Sequence, residues 1–361
     1  MTRSLWIAGA AAVALAGAGA GAGDGAAQDL ADDPMLPVSS VEDATISPIR
    51  ALTIMSGDLD ATRRFFQAGM DMSAELTTLD GPQAAALAAQ WGLEPGPVEM
   101  ILFRHPDAQG AALVRAVKAP EGLAVMRPGY DSRPIGPLGF GYAGEDLEAR
   151  RTIMEALGFE TTAGVMYMDF PRADGTTYEV SEIHFKAPDD MLILAVNRGP
   201  KQPVGPIDPA LGIGGAAYAS ILVGDLQESE TFLGEVLGLE RRRDIAFNAS
   251  GPNGGMVGLR AGEEVAFQQW FSPGARTGYL VVMELLEGPK SETELGFEQR
   301  GVALWSFEVD DLDAVLERYA ATGRTPAAAP ALYVSPGLGR VRGAILENPD
   351  GLPVEVYEPT P

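Results

Sequence analysis

Ala217-Tyr-Ala-Ser-Ile-Leu-Val-Gly-Asp225-Leu226-Gln-Glu-Ser-Glu-Thr-Phe-Leu-Gly-Glu-Val-Leu-Gly238 is the stretch on which the fold turns. Ala217 to Val223 is an apolar run of strand length. Asp225 follows as a helix N-cap, because its carboxylate can accept from the free N–H groups of a first helical turn. Leu226, Phe232, Leu233, Val236 and Leu237 then recur at helical spacing, and Gly238 suits the left-handed residue that ends a helix. Strands are expected next at Met256–Arg260, Val265–Phe271 and Tyr279–Leu286. The unit reads β-α-β-β-β.

The same pattern occurs four times. Asp58-Leu59 leads to Gly69, Asp146-Leu147 to Gly158, Asp225-Leu226 to Gly238 and Asp311-Leu312 to Gly323. In each copy the Gly lies 11 to 13 residues past the Asp, and the copies are 88, 79 and 86 residues apart. That period is longer than a solenoid repeat, so one supersecondary module is used four times. Copy one starts with a strand at Ile49–Met55. Copy four runs Ala303–Val309, the Asp311 helix, Arg342–Leu346 and Pro353–Tyr357. Pro188-Asp189-Asp190 and Pro349-Asp350-Gly351 are tight turns between paired strands. The Pro-, Gly- and Lys-rich segment Arg198 to Pro209 is the best boundary between the two halves.

A β-α-β-β-β unit used in pairs resembles the vicinal oxygen chelate superfamily (glyoxalase, bleomycin resistance and extradiol dioxygenase proteins). The strings that carry the resemblance are Tyr218-Ala-Ser-Ile-Leu-Val-Gly-Asp-Leu, Leu304-Trp-Ser-Phe-Glu-Val-Asp-Asp-Leu and Asn348-Pro-Asp-Gly-Leu-Pro-Val-Glu355. It is strong over residues 214–358 and weaker over 47–198. It implies an α+β chain of four βαβββ modules paired into two domains, 47–198 and 214–358, joined by a linker at 199–213.

The resemblance also implies where metal ligands belong. One stands seven residues before each capping Asp, usually a His. Another stands on the last strand, usually a Glu five residues past the Asp of Pro-Asp-Gly. Here the first positions hold Ala51, Gly139, Tyr218 and Leu304, and the last-strand position of copy two holds Leu194. Only copy four keeps its carboxylate, Glu355. The chain has two His, at 105 and 184, and neither is on a ligand position. No cofactor is expected with assurance. A divalent metal on Glu284 and Glu355 is the alternative.

The candidate site residues follow. Glu355, on an inner strand, is the candidate catalytic base, since burial would raise its pKa. Tyr218 is the candidate hydrogen-bond donor. Glu284 interrupts the apolar strand Val281-Val-Met-Glu-Leu-Leu, where a lone carboxylate needs a role or a partner such as Arg342. Gln268 and Trp270, in Gln268-Gln-Trp-Phe271, are expected to line the ligand cavity with Arg342. Arg241-Arg-Arg243 reads as a solvated turn that could alternatively meet an anion. Glu182-Ile-His184 reads as a solvated strand face, and His105 as a loop residue.

Composition bounds the rest. The chain has 361 residues, of which 46% are hydrophobic, so it can bury a core. It has no Cys, which removes disulfides and thiolate chemistry. Its net charge of −24 opposes binding to nucleic acid and anionic membranes. Residues 1–27 resemble a bacterial secretory signal peptide, with Arg3, an apolar run from Leu5 to Ala18, and small residues before Gln28. Residues 28–46 read as a linker. The expected product is periplasmic or secreted, with no stable membrane insertion after cleavage, and its partner is a small-molecule ligand or substrate. Oligomeric state is not readable. Three functions fit: a metal-free isomerase or lyase, a non-catalytic ligand-binding protein, and a metal-dependent enzyme with rebuilt ligands.

Overall fold

The computed structural model describes residues 39–105, 110–171, 176–199, 204–248, 263–288 and 290–361. The signal-like segment, most of the 28–46 linker and the expected strand Met256–Arg260 lie outside the described residues. Among the described residues no helix is long and apolar enough to cross a membrane.

Module one comprises β1 (Ala51–Ser56), α1 (Leu59–Arg63, continued by a wide π turn through Gly69), β2 (Ser73–Leu79), α2 (Gly81–Trp91), β3 (Val98–Arg104) and β4 (Leu113–Lys118). Module two comprises β5 (Gly136–Gly144), α3 (Leu147–Ala156), β6 (Met166–Pro171), β7 (Thr177–Lys186) and β8 (Leu192–Asn197). A two-residue β9 (Ile207–Asp208) follows in the connection. Module three comprises β10 (Ile213–Leu222), α4 (Leu226–Glu230, continued by a π turn through Leu237), β11 (Glu240–Asn248), β12 (Glu264–Phe271) and β13 (Tyr279–Leu285). Module four comprises β14 (Gly301–Glu308), α5 (Leu312–Ala321), β15 (Ala328–Ser335), β16 (Gly339–Glu347) and β17 (Pro353–Pro359).

All four Asp residues cap their helices. Asp58 accepts from Ala61 N at 2.9 Å, Asp146 from Ala149 N at 2.9 Å, Asp225 from Glu228 N at 3.0 Å and Asp311 from Ala314 N at 2.9 Å. Gly158, Gly238 and Gly323 take the expected left-handed conformation, with φ between 80° and 86°. Gly69 does not. It is buried inside the π turn, where a Cβ would meet Met154 Sδ at 2.3 Å, so close helix approach explains this glycine. The left-handed residue is Asp71 instead, at φ 54°.

The modules form two curled half-barrels, a sheet of eight strands and one of nine in which β9 adds to β10. The first runs β15-β16-β17-β14-β1-β4-β3-β2 and the second runs β11-β12-β13-β10-β5-β8-β7-β6. The sheets therefore join module one to module four, and module two to module three, through antiparallel β1–β14 and β5–β10. This corrects the expected domains 47–198 and 214–358, which paired sequence neighbours. Neighbours meet through other contacts. The Asp189 carboxylate of module two accepts from Gly57 N of module one at 3.1 Å, and Asp350 of module four from Gly224 N of module three at 2.9 Å. The two Pro-Asp turns thus tie the half-barrels together. A single large core, including Phe65, Phe66, Phe140, Phe232, Trp305 and Val354, fills the space between the convex faces and the helices.

Candidate functional site

In this architecture the concave faces hold the chemistry, because strand alternation sends every second side chain there. In the first half-barrel Ser306 pairs in register with Glu355, and Thr53 with Arg115. These four residues come from the four central strands and meet in one network. Arg115 Nε donates to Thr53 Oγ1 at 2.8 Å and Nη1 donates to Ser335 Oγ at 2.9 Å. Nη2 donates to Ser306 Oγ and to Glu355 Oε2, the latter at 3.2 Å. Glu355 also accepts from Tyr333 OH at 2.6 Å, Ser335 Oγ at 3.1 Å and Trp91 Nε1 at 3.2 Å. Both side chains of the ion pair are 0% exposed.

Helix α2 seals this face. Ala84, Leu87 and Trp91 pack with Met55, Leu304, Tyr333, Val341 and Tyr357 from the concave side. Gln90 Nε2 donates to Gly343 O at 3.1 Å, and the Arg115 guanidinium lies 4.8 Å from the Trp91 ring centre. Glu355 is thus no free base, which corrects its expected role. Burial pushes its carboxyl up, but Arg115 and hydrogen bonds from Ser306, Tyr333 and Trp91 outweigh burial and hold it below the usual range.

The resemblance to vicinal oxygen chelate proteins implies a divalent cation here, and the residues do not fit one. A guanidinium offers five donors and no acceptor and stays charged. It already binds the only carboxylate of the ring, and a metal would be repelled.

The second half-barrel carries different residues in the same places. Gly141 pairs with Leu194, and Ser220 with Val281. Ser220 Oγ donates to Gly139 O at 3.4 Å. Three apolar positions and one hydroxyl give no ligand set for a metal either. Tyr218 lies across Gly141, where a Cβ would meet its ring at 2.1 Å, and stacks on Tyr279 with centroids 5.2 Å apart. Tyr279 stacks in turn on Phe271 at 4.4 Å. Burial pushes the Tyr218 hydroxyl well above its ordinary pKa, and burial likewise raises Tyr279.

Around this aromatic floor are polar groups. His184 is 2% exposed, and its Nε2 is 2.5 Å from Glu182 Oε1. Burial, not solvation, is therefore the setting of this strand face. Gln269, 1% exposed, pairs in register with Arg243 and Val281. Arg243 lies on β11 and is partly buried, so the 241–243 run is strand and not turn.

The remaining sequence candidates fall elsewhere. Tyr218 and Glu355 belong to different half-barrels, so they form no joint site, and Glu284 and Glu355 cannot share a metal for the same reason. Glu284 accepts from Leu226 N at 3.1 Å and Lys290 Nζ at 2.7 Å, supporting the α4 N-terminus. Glu358 does the same for Leu312 N at 2.8 Å. Arg342 pairs with Asp313 and with Glu358, the latter at 3.3 Å, and not with Glu284. Gln268 and Trp270 face helix α4: Gln268 Nε2 donates to Glu230 at 2.5 Å, and Trp270 packs on Gly234. Alternation turns Gln269 and Phe271 inward instead. His105 is a buried residue outside the strands. Arg115, Thr53, Ser306, Tyr333, Ser335 and Trp91 were missed. Arg115 had a signal, as the lone charge inside Leu113-Val-Arg-Ala-Val117.

Residues 215–356 match the model of the Glyoxalase/Bleomycin resistance protein/Dioxygenase superfamily. Over these residues the chain is similar to that superfamily. The fold likeness extends to nearly the whole molecule. A single-residue mutant of glyoxalase I from Zea mays is 16% identical, with 88% of this chain and 94% of that chain covered at a TM-score of 0.57. A proposed dioxygenase from Bacillus subtilis is 15% identical, with 88% and 87% covered at a TM-score of 0.54. No curated protein sequence matches the chain.

Proposed function

We propose that this vicinal oxygen chelate protein is an exported, metal-independent binder of a small organic molecule, with the second half-barrel as its binding half. The observation that carries the reading is the Arg115–Glu355 pair, which fills the first half-barrel's ligand positions with a guanidinium and its own carboxylate. A sealed, charge-neutral network has no group left for substrate. The second half-barrel keeps buried polar atoms without partners. Metal analysis of protein purified without added metal tests the reading. Substoichiometric transition metal and a melting temperature unmoved by a chelator are expected. Stoichiometric metal whose removal lowers the melting temperature overturns it. Export predicts a mature N-terminus at Gln28 in a periplasmic fraction, read by N-terminal sequencing; an intact Met1 in that fraction argues for an uncleaved anchor.

One observation favours a second reading, proton-transfer catalysis in the same half-barrel. Glu182 orients His184 through Nε2 and leaves Nδ1 without a partner, the arrangement of an oriented general base. Under this reading His184→Gln abolishes turnover of a bound molecule while leaving its affinity intact. Equal loss of both argues for binding alone.

A further inference from the structure

An open cleft of about 340 Å³ lies on the seam between the half-barrels, at the end of β7. Its lining includes Ala61 of α1 on one side and Phe159, Glu160, Lys186 and Pro188 of module two on the other, with Tyr130 from the connection before β5. Ligand pockets begin at about this size and favour such seams. The lining includes none of the concave-face residues Tyr218, Tyr279, Phe271 and His184. Backbone strain concentrates beside it. Four non-glycine residues among the described residues have a left-handed φ, and three of them flank this cleft: Tyr130 at 63°, Asp189 at 60° and Asp190 at 54°. An Asp tolerates that conformation, and a bulky Tyr does so only at a cost. The surroundings hold it there. Tyr130 N donates to Arg127 O at 2.9 Å, and the preceding Gly129 N donates to Asp190 Oδ2 at 2.7 Å. Strain that the structure maintains in this way is a mark of ligand clamps.

The walls select the guest. Phe159 is 9% exposed and meets Phe65 edge-on, with centroids 4.9 Å apart, so it is a fixed wall. The Arg64 guanidinium lies 5.3 Å from the Phe159 ring centre, and Lys186 Nζ lies 5.5 Å from that of Tyr130. Each ring already attracts a cation of the chain itself, so a cationic guest gains little there. An anion gains more. Lys186 Nζ carries three donors. Its ion pair with Glu160, at 3.1 Å, leaves the Glu160 side chain 77% exposed. Such a surface pair is weak, so a second carboxylate can take its place at small cost. Asp190 is engaged with Gly129 N. We propose that the cleft binds a small aromatic carboxylate, its ring against Tyr130 and Phe159 and its carboxylate on Lys186 Nζ in place of Glu160. A charge-assisted bond from ammonium to carboxylate fixes the polar end, and the two rings fix the apolar one.

The test is calorimetric titration of the full chain with phenylacetate, its neutral isostere 2-phenylacetamide, and acetate. Phenylacetate is expected to bind at least about tenfold more tightly than either of the others. Lys186→Met should weaken phenylacetate by about tenfold and leave 2-phenylacetamide where it was. Glu160→Gln removes the competing carboxylate and should act in the opposite direction, tightening phenylacetate by about two- to fivefold. Both residues belong to a surface ion pair, and a gain of affinity in the second variant is not a result that damaged folding can produce. The proposal is overturned by no binding of phenylacetate, by equal affinity for 2-phenylacetamide or acetate, or by an affinity indifferent to both substitutions. Indifference to both would place the bound molecule away from this cleft. It would leave the second half-barrel's concave face as the binding half, since no residue of the cleft tested here belongs to that reading, and the two fail separately.

Discussion

The two half-barrels share strand order, module type and cap chemistry, and differ on their concave faces. In the first, each donor nitrogen of Arg115 meets an oxygen, and Glu355 accepts from four residues of the surrounding wall. In the second, Arg198, His184 and Gln269 keep buried atoms without partners. The contrast separates two demands on one scaffold. Folding is served by the convex core and the helix caps, which both halves possess. The concave face is not part of that shared layer, so one copy can close around an internal ion pair while the other keeps polar capacity for a ligand.

The largest expected effect breaks the closed half. Arg115→Met leaves the Glu355 carboxylate buried and uncompensated, and should destabilise the protein by about 3–5 kcal/mol. Urea unfolding measures it. Replacing both partners, as in Arg115→Met with Glu355→Leu, should recover only part of this. Trp91 and Tyr333 would still point donors at a site that no longer accepts them. A single variant with an unchanged unfolding midpoint would show that the network is not structural, and the comparison would fail.

A smaller pair of effects sharpens the comparison hydroxyl against indole. Trp91→Phe keeps a ring over Arg115 but removes a donor to a buried carboxylate, and should cost about 1–3 kcal/mol. Tyr218→Phe removes a hydroxyl and keeps the ring stacked on Tyr279, and should change stability by less than about 0.5 kcal/mol. Thermal melts of the two variants side by side test this. Equal losses would mean that the second half-barrel is as closed as the first.

Acidification should separate the halves as well. Because Glu355 is held below its ordinary range when folded, its contribution is complete above the unfolded value of about 4.3 and is lost as pH falls through the lower folded value. The parent should therefore lose stability steeply below about pH 4, and Glu355→Gln, already destabilised, should show a flatter slope in that window. Denaturant midpoints taken from pH 6 downward decide it. Parallel slopes would remove Glu355 as the group responsible.

Much of the fold was legible because it is written in local chemistry. An Asp before an amphipathic helix must cap it, and the four Asp residues do. The pairing of modules was not legible, since either pairing buries the same apolar strands. What decides it is the antiparallel β1–β14 and β5–β10 register, which has no short-range signature. The site was legible only in part. The metal-ligand spacing led to Glu355, but its meaning depends on Arg115, Ser335 and Trp91, which lie 240, 20 and 264 residues away. Alternation inside Gln268-Gln-Trp-Phe271 was readable in principle. It assigns one pair to the helix and the other to the concave face, and only the register against Val281 says which.

The smallest prediction concerns what the halves have in common. Asp58 and Asp311 cap helices of the first half-barrel, and Asp146 and Asp225 those of the second. Each accepts one N–H bond of 2.9 to 3.0 Å from the third residue on, so each substitution to Ala strands the same donor. The expected cost is about 1 kcal/mol in every case, read as a shift in urea midpoint. The helices at Asp225 and Asp311 receive a second acceptor, Glu284 or Glu358, at their first N–H, which should place those two at the lower end. That split runs by module order and cuts across the half-barrels. If the losses instead grouped by half-barrel, the asymmetry of the concave faces would reach into the helical layer, and stability and ligand chemistry would not be separable in this scaffold.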